Sequence, residues 1–234
     1  MLQCMGKQHF SGTHLIGDLF PICDRWRHIA EGRKSNHKND SGGFTVGGMS
    51  WGFFKGLSLK DGDLDGDGDV DRDDLSKITL EKEEQLFRDY FWEPYLCDRM
   101  NFIPAICLFD SVINHRPRVA VKLFQSSIDT NADGFVGNNT VDAANSISNP
   151  EQFLADHLSR RRSLYRSIVN SNSSQRVFLD GWLNRMDKLE AFIFIVERGE
   201  TKQEFIDYWK DRPLQDLEWL IFKIVKKLKQ DRQQ

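Results

Sequence analysis

Four things missing from this sequence narrow what it can be. Long apolar runs are absent, so no segment approaches the length of a membrane-spanning helix. The first twenty residues, MLQCMGKQHFSGTHLIGDLF, show no basic stretch followed by an apolar one, so a secretory signal is not expected and synthesis in the cytoplasm is. Cysteine is sparse: Cys4, Cys23, Cys97 and Cys107 have no metal-ligand spacing and are too few for a disulfide framework in 234 residues. They are expected as reduced, mostly buried thiols. A strong net charge is also lacking, at −3 overall. Residues 61–74 alone hold eight Asp against one Arg, or −7, leaving about +4 elsewhere, far short of a nucleic-acid-binding signature.

What is there reads as an ordinary globular chain, 39% apolar, 12% aromatic and 29% charged, long enough to bury a real core. Residues 17–31, GDLFPICDRWRHIAE, set Phe20, Ile22, Cys23, Trp26 and Ile29 mostly on one helical face, with Gly32 as a natural stop. Glycine and β-branched residues from 42 to 48 suggest a tight hairpin, followed by a short helix around SWGFFKGL. A helix is expected over 73–96, with Leu75, Ile78, Leu80, Leu86, Phe87 and Tyr90 in the core, until Pro94 interrupts it. The segment FIPAICLFDSVIN is apolar nearly all round and should be buried. Further helices are expected after Pro117, from Thr140, and over QFLADHLSRRRSLYRSIV, so the class is mainly α. The last stretch, from Pro213, aligns Leu217, Leu220, Ile221, Ile224, Val225 and Leu228, with lysines clustered in its final turns. Such a helix either packs on its own domain, its lysines complementing the helix dipole, or lies on a membrane surface.

The chemistry gathers in EGRKSNHKNDSGGFTVGG, residues 31–48, where Glu31, Asp40 and Thr45 recur in order at a helix end and its following Gly-rich loop. This order resembles the glycoside hydrolase family 108 muramidases, and is similar to that of phage lysozymes of the T4 type. The family's further motifs have counterparts in YFWEPYLCDRMNFIPAICLFDSVINHRPRVAVKLFQ, DTNADGFVGNNT, and RRRSLYRSIV with FLDGWLNR. Arg33 and Lys34 stand where the family has a Gly and an aromatic, Ser41 replaces a Pro, Met49 an Ile, and Arg116 a Gly. The resemblance implies a lysozyme-like helical domain with a small β-hairpin at the active site and a helical C-terminal extension. The division expected is a catalytic domain over 1–150, with an insertion at 61–75, and a helical region over 151–234 packed on it.

Glu31 is the implied general acid. Cleaving a glycosidic bond needs a carboxyl that is still protonated near neutral pH. The negative end of a helix dipole and partial burial in a cleft both favour the neutral form. Asp40 would orient or activate a water or stabilise oxocarbenium charge, with Thr45 positioning that water. On the residues alone, Asp40 also fits an Asx turn and Thr45 an ordinary hairpin position. Asp110 and Asn114 share one helix face at i and i+4, placed either for substrate contact or for hydrogen bonds that hold the active-site loop.

A second motif is DLDGDGDVDRDD, residues 63–74, which fits the twelve-residue EF-hand calcium loop. Asp63, Asp65 and Asp67 take positions 1, 3 and 5, and Gly68 the sharp turn. Asp69 offers its backbone carbonyl, Asp71 sits at 9 and Asp74 at 12, where Glu is usual. Calcium is therefore the expected cofactor. DTNADGFVGNNT, residues 129–140, has a similar start but ends on Thr140 without a closing carboxylate, and reads as a structural Asx-rich turn.

The resemblance implies a peptidoglycan hydrolase that cuts the β-1,4 bond between N-acetylmuramic acid and N-acetylglucosamine in glycan strands. A lytic transglycosylase and a non-catalytic, calcium-stabilised wall-binding module are the alternatives. Made in a bacterial cytoplasm and acting on the wall in the periplasm, such an enzyme needs a phage holin, host lysis or a contact-dependent secretion machine to reach it.

Overall fold

Asp18 opens the first helix, α1 (Phe20–Glu31), its carboxylate accepting the Phe20 N–H at 3.0 Å. The computed structural model describes residues 18–31, 34–35, 44–198, 202–209 and 212–232. Phe20, Ile22, Cys23, Trp26 and Ile29 of α1 are all buried, as their spacing requires. After α1 come three two-residue strands, β1 (Lys34–Ser35), β2 (Thr45–Val46) and β3 (Met49–Ser50), antiparallel in that order. Gly47 and Gly48, at φ +59° and +83°, form the two-residue turn between β2 and β3, and a turn left-handed at both positions favours glycine.

The expected helix over 73–96 is broken. Instead there are α4 (Arg72–Lys77) and α5 (Leu80–Phe87), preceded by the short α2 (Trp51–Phe54) and α3 (Leu59–Gly62). Thr79 causes the break: its hydroxyl accepts the Lys82 N–H at 3.2 Å and caps a new helix, with Glu81 and Glu83 in the favourable first turn. Leu80, placed in the core by a continuous helix, is 59% exposed. α5 passes into a π-helical turn (Arg88–Trp92) and two 3₁₀ turns that lead to α6 (Phe102–Asn114).

Every residue of α6 from Phe102 to Val112 is buried, the outcome its all-round apolar surface dictates. Around it pack α1, the π-helical turn, α7 (Pro117–Ser127) and α9 (Pro150–Ser171). α8 (Asn138–Asn145) precedes α9; α10 (Arg176–Glu197) packs on α9, followed by α11 (Lys202–Trp209) and α12 (Leu214–Asp231). One continuous core runs from Leu19 to Val225 through Trp26, Trp92 and Phe109. Cys23, Cys97 and Cys107 are free and buried within it; Cys4 lies outside the described residues.

α12 buries Leu217, Ile221 and Val225 and packs on α10, and its Lys229 pairs with Asp187 at 2.9 Å. No described helix is long and apolar enough to cross a membrane. In the loop over 129–140, Gln125 of α7 fills the centre: its amide donates to Asp133 Oδ1 and the Phe135 carbonyl, each at 2.9 Å, and its carbonyl accepts the Gly134 N–H. Asp133 Oδ1 also accepts the Phe135 N–H at 2.9 Å, so the loop is held by hydrogen bonds to Gln125 and within itself.

Candidate active site

A cleft of about 780 Å³ opens where the C-terminus of α1 meets the β2–β3 hairpin. It reaches Ala30, the residue before Glu31, so the helix end that carries the expected acid stands at its edge. Thr45 and Ser50 are cross-strand partners and both line the cleft; of the next pair, Val46 is buried and Met49, almost fully buried, also reaches the cleft. The end of α6 contributes Asn114 and His115, and the far wall comes from Phe178, Trp182 and Arg185 of α10. Asp40 lies outside the described residues. Of the expected catalytic residues, the fold thus brings the Glu31 backbone and Thr45 to one cleft.

Asp110 does not line that cleft, and of its two expected roles, substrate contact and hydrogen bonding, its buried position fits the second. It is fully buried, and its carboxylate accepts from Trp26 Nε1 at 2.7 Å and from Arg185 at 2.6 and 3.1 Å, and is also paired with Arg161. Burial pushes its pKa up, but the charges of Arg185 and Arg161 more than reverse this and hold it well below the usual carboxylate range. The group ties α1 to α6, α9 and α10. Asn114 does line the cleft, and its amide nitrogen donates to the Asp110 carbonyl at 2.8 Å. Beside it, burial, aided by the charge of Arg161, lowers the His115 pKa to about 3, so this end of the cleft carries a neutral imidazole.

A second buried ion group steadies the hairpin. Arg27 has no exposed surface; it donates to Asp24 at 2.6 Å and to the Gly47 carbonyl at 2.8 Å, pairs with Glu83, and lies 4.1 Å over the Phe87 ring. The turn beside Thr45 is therefore pinned to the helix that ends in Glu31. Neither ion group was foreseen from the residues. Arg161 and Arg185 fall within the RRRSLYRSIV and FLDGWLNR segments, but nothing in a linear motif says that both point at Asp110.

Among the described lining residues of the cleft only Arg185 is charged, and its guanidinium is engaged with Asp110. The remaining wall is apolar, aromatic or weakly polar, a surface suited to pyranose rings with their apolar faces and equatorial hydroxyls.

Within the acidic loop, six of the seven aspartates form two groups, the oxygens of each lying within 4.8 Å of one another: Asp63, Asp65 and Asp67, then Asp69, Asp71 and Asp74. Gly66 and Gly68 take left-handed φ of +79° and +97°, and their N–H groups donate to the two Asp63 oxygens at 2.7 and 3.0 Å. Asp74 is almost fully buried and accepts N–H bonds from Leu64, Asp65 and Asp71. The loop is thus closed at both ends by its own hydrogen bonds. Repulsion from Asp67 raises the pKa of Asp69, the stress that a bound cation would remove.

Residues 27–115 match the family described as Glycosyl hydrolase 108, and residues 119–187 the one described as Predicted Peptidoglycan domain. The two meet at the turn between α6 and α7. Among solved structures the chain is similar to SagA of Brucella abortus, at a TM-score of 0.61 and 19% identity, covering 76% of this chain and 97% of that one. That likeness is one of fold. No curated protein matches. With the cleft bounded by α1 and the hairpin inside the first matched region and by α10 inside the second, residues 27–115 form a glycoside hydrolase 108 domain, and the chain that carries it is a glycoside hydrolase directed at peptidoglycan.

Proposed function

We propose that the chain hydrolyses the β-1,4 bond between N-acetylmuramic acid and N-acetylglucosamine, with Glu31 as the general acid. The observation that carries this reading is the ending of α1 at Glu31 beside a cleft that the Thr45 hairpin also lines. In the proposed reaction Glu31 protonates the leaving oxygen, Asp40 orients or activates a water, and Thr45 positions it. Calcium in the 63–74 loop is part of the proposal as a stabiliser of the scaffold. Asp63, Asp65, Asp67, Asp69 and Asp71 supply hard oxygen donors, and Asp74 fixes the loop's closure through the backbone.

Digesting purified sacculi and weighing the fragments tests the reaction. Products with reducing N-acetylmuramic acid ends support hydrolysis, whereas anhydro products lighter by one water would establish the lytic transglycosylase instead. The glycosyl hydrolase match speaks against a module that only binds the wall.

A further inference from the structure

We propose that the outer face of α12 is a membrane-docking surface, which seats Trp219 and Phe222 in the headgroup region of an anionic phospholipid bilayer with Lys223 and Lys226 on its phosphates. The inference does not depend on which bond the cleft cleaves.

α12 carries two apolar faces, and its own domain uses one. Leu217, Ile221 and Val225 are buried on the inner side, and the helix packs on α10. Trp219, Phe222, Lys223 and Lys226 recur at i, i+3, i+4 and i+7 on the other side, all exposed, Trp219 at 58% and Phe222 at 66%. Tyr208 of α11, 56% exposed, extends this patch, because it and Trp219 line one groove between α11 and α12. Large rings gathered at a surface, rather than scattered over it, mark a site of interaction.

The chemistry of the patch selects its occupant. The Lys223 Nζ lies 3.4 Å from the centre of the Trp219 ring, and the Arg212 guanidinium lies 4.1 Å over Tyr208. Phe222 and Lys226 repeat the same i, i+4 pairing of ring and cation. Protein interfaces enrich aromatic residues but are depleted in lysine. The boundary of a bilayer takes both at one depth: Trp and Tyr sit at headgroup level, while lysine lays its stem along apolar surface and holds its charge in the wet layer above.

The sign of the charge fits as well. Between Trp219 and Gln230 there are four lysines and no acidic residue. Lys229 pairs with Asp187, whereas Lys223 and Lys226 form no ion pair among the described residues. Asp216 and Glu218 precede the stripe, so its positive field belongs to the later turns of the helix. The chain as a whole, at −3, is not drawn to an anionic leaflet, and attachment would rest on this patch.

The test is binding of the full chain to extruded vesicles, read by co-sedimentation. Vesicles of phosphatidylethanolamine with phosphatidylglycerol should bind it, vesicles of phosphatidylcholine alone at least about tenfold more weakly, and added salt should weaken the binding. Lys223→Gln with Lys226→Gln should cost about fivefold per lysine on the anionic vesicles. Trp219→Ala with Phe222→Ala should cost at least about tenfold. All four side chains are exposed, so both double variants should keep the parent's melting temperature and hydrolyse lipid-free sacculi as the parent does. No binding to the anionic vesicles, equal binding to both kinds, or binding that either double variant leaves unchanged would overturn the proposal. A dimer in sedimentation equilibrium that Trp219→Ala with Phe222→Ala dissociates would also overturn it, by giving the face to a second copy of the chain. Vesicle binding by a parent chain that hydrolyses no sacculi would keep the docking surface and remove the hydrolase.

Discussion

Replacing Asp110 separates the role its position suggests in sequence from the one the fold assigns. Asp110→Ala removes the buried carboxylate shared by Arg161, which has no exposed surface, and Arg185, which has 9%, together with the acceptor of Trp26 Nε1. Breaking a buried pair of this kind costs about 3–5 kcal/mol, because the remaining charge cannot regain its hydration. Against a total stability of about 5–15 kcal/mol that is a large fraction. For a chain of this size each kcal/mol moves the melting temperature by roughly 2–4 °C, so a fall of about 6–20 °C is expected. Asp110→Asn keeps the shape and an acceptor for Trp26 but removes the negative charge that Arg161 and Arg185 share, and should also melt well below the wild type. Thermal denaturation followed by circular dichroism, with hydrolysis of sacculi measured below the transition, is the assay. A variant that melts like the wild type but has lost hydrolysis would refute this reasoning and return Asp110 to the substrate.

Other perturbations probe the hairpin, the acidic loop and the buried histidines. Gly47→Ala places a methyl group 1.9 Å from Glu83 Oε2 at a φ of +59°, so it should cost at least about 1–2 kcal/mol and lower activity by displacing the Thr45 hairpin, read by melting temperature and turnover. Calcium at a hundredfold excess over its Kd should add about 2.7 kcal/mol to stability, lost on chelation and in the Asp63→Ala, Asp65→Ala double variant; identical melting curves in every condition would leave the loop without an ion. Burial above all lowers the pKa of His157 to about 3, so it is neutral in the folded chain and takes up a proton on unfolding below about pH 6.5. Stability should therefore be fully present above that pH and fall towards pH 3 by about 1.4 kcal/mol per pH unit from this residue, and His157→Gln should flatten the slope by one proton.

The parts of the fold that were legible in sequence are those where one helix face meets one core. α6 could be read as buried because nothing polar interrupts it before Asp110, and α1 because its apolar residues repeat at helical spacing. The break before α5 was written in the chain as Thr79 ahead of LEKEE, but a cap of moderate strength is easily lost beneath an apolar pattern that continues in register. The candidate acid was visible because chain order, helix end and Gly-rich loop coincide within eighteen residues. The ion groups were hidden for a physical reason. Asp110 meets Arg161 and Arg185 at separations of 51 and 75 residues, and Arg27 meets Glu83 at 56, so no local spacing encodes them. The α10 wall is hidden in the same way, since Phe178 and Trp182 become cleft residues only when α10 packs beside α6 and the hairpin.

The proposed reaction depends on Glu31, and its most direct measurement is the rate at which Glu31→Gln releases fragments from purified sacculi relative to the wild type. The substitution preserves the size of the side chain at the end of α1 but removes the proton donor, so the rate should fall by at least about 10²-fold, with the melting temperature and sacculus binding retained. Release of fragments at close to the wild-type rate by a folded Glu31→Gln chain would contradict the assignment.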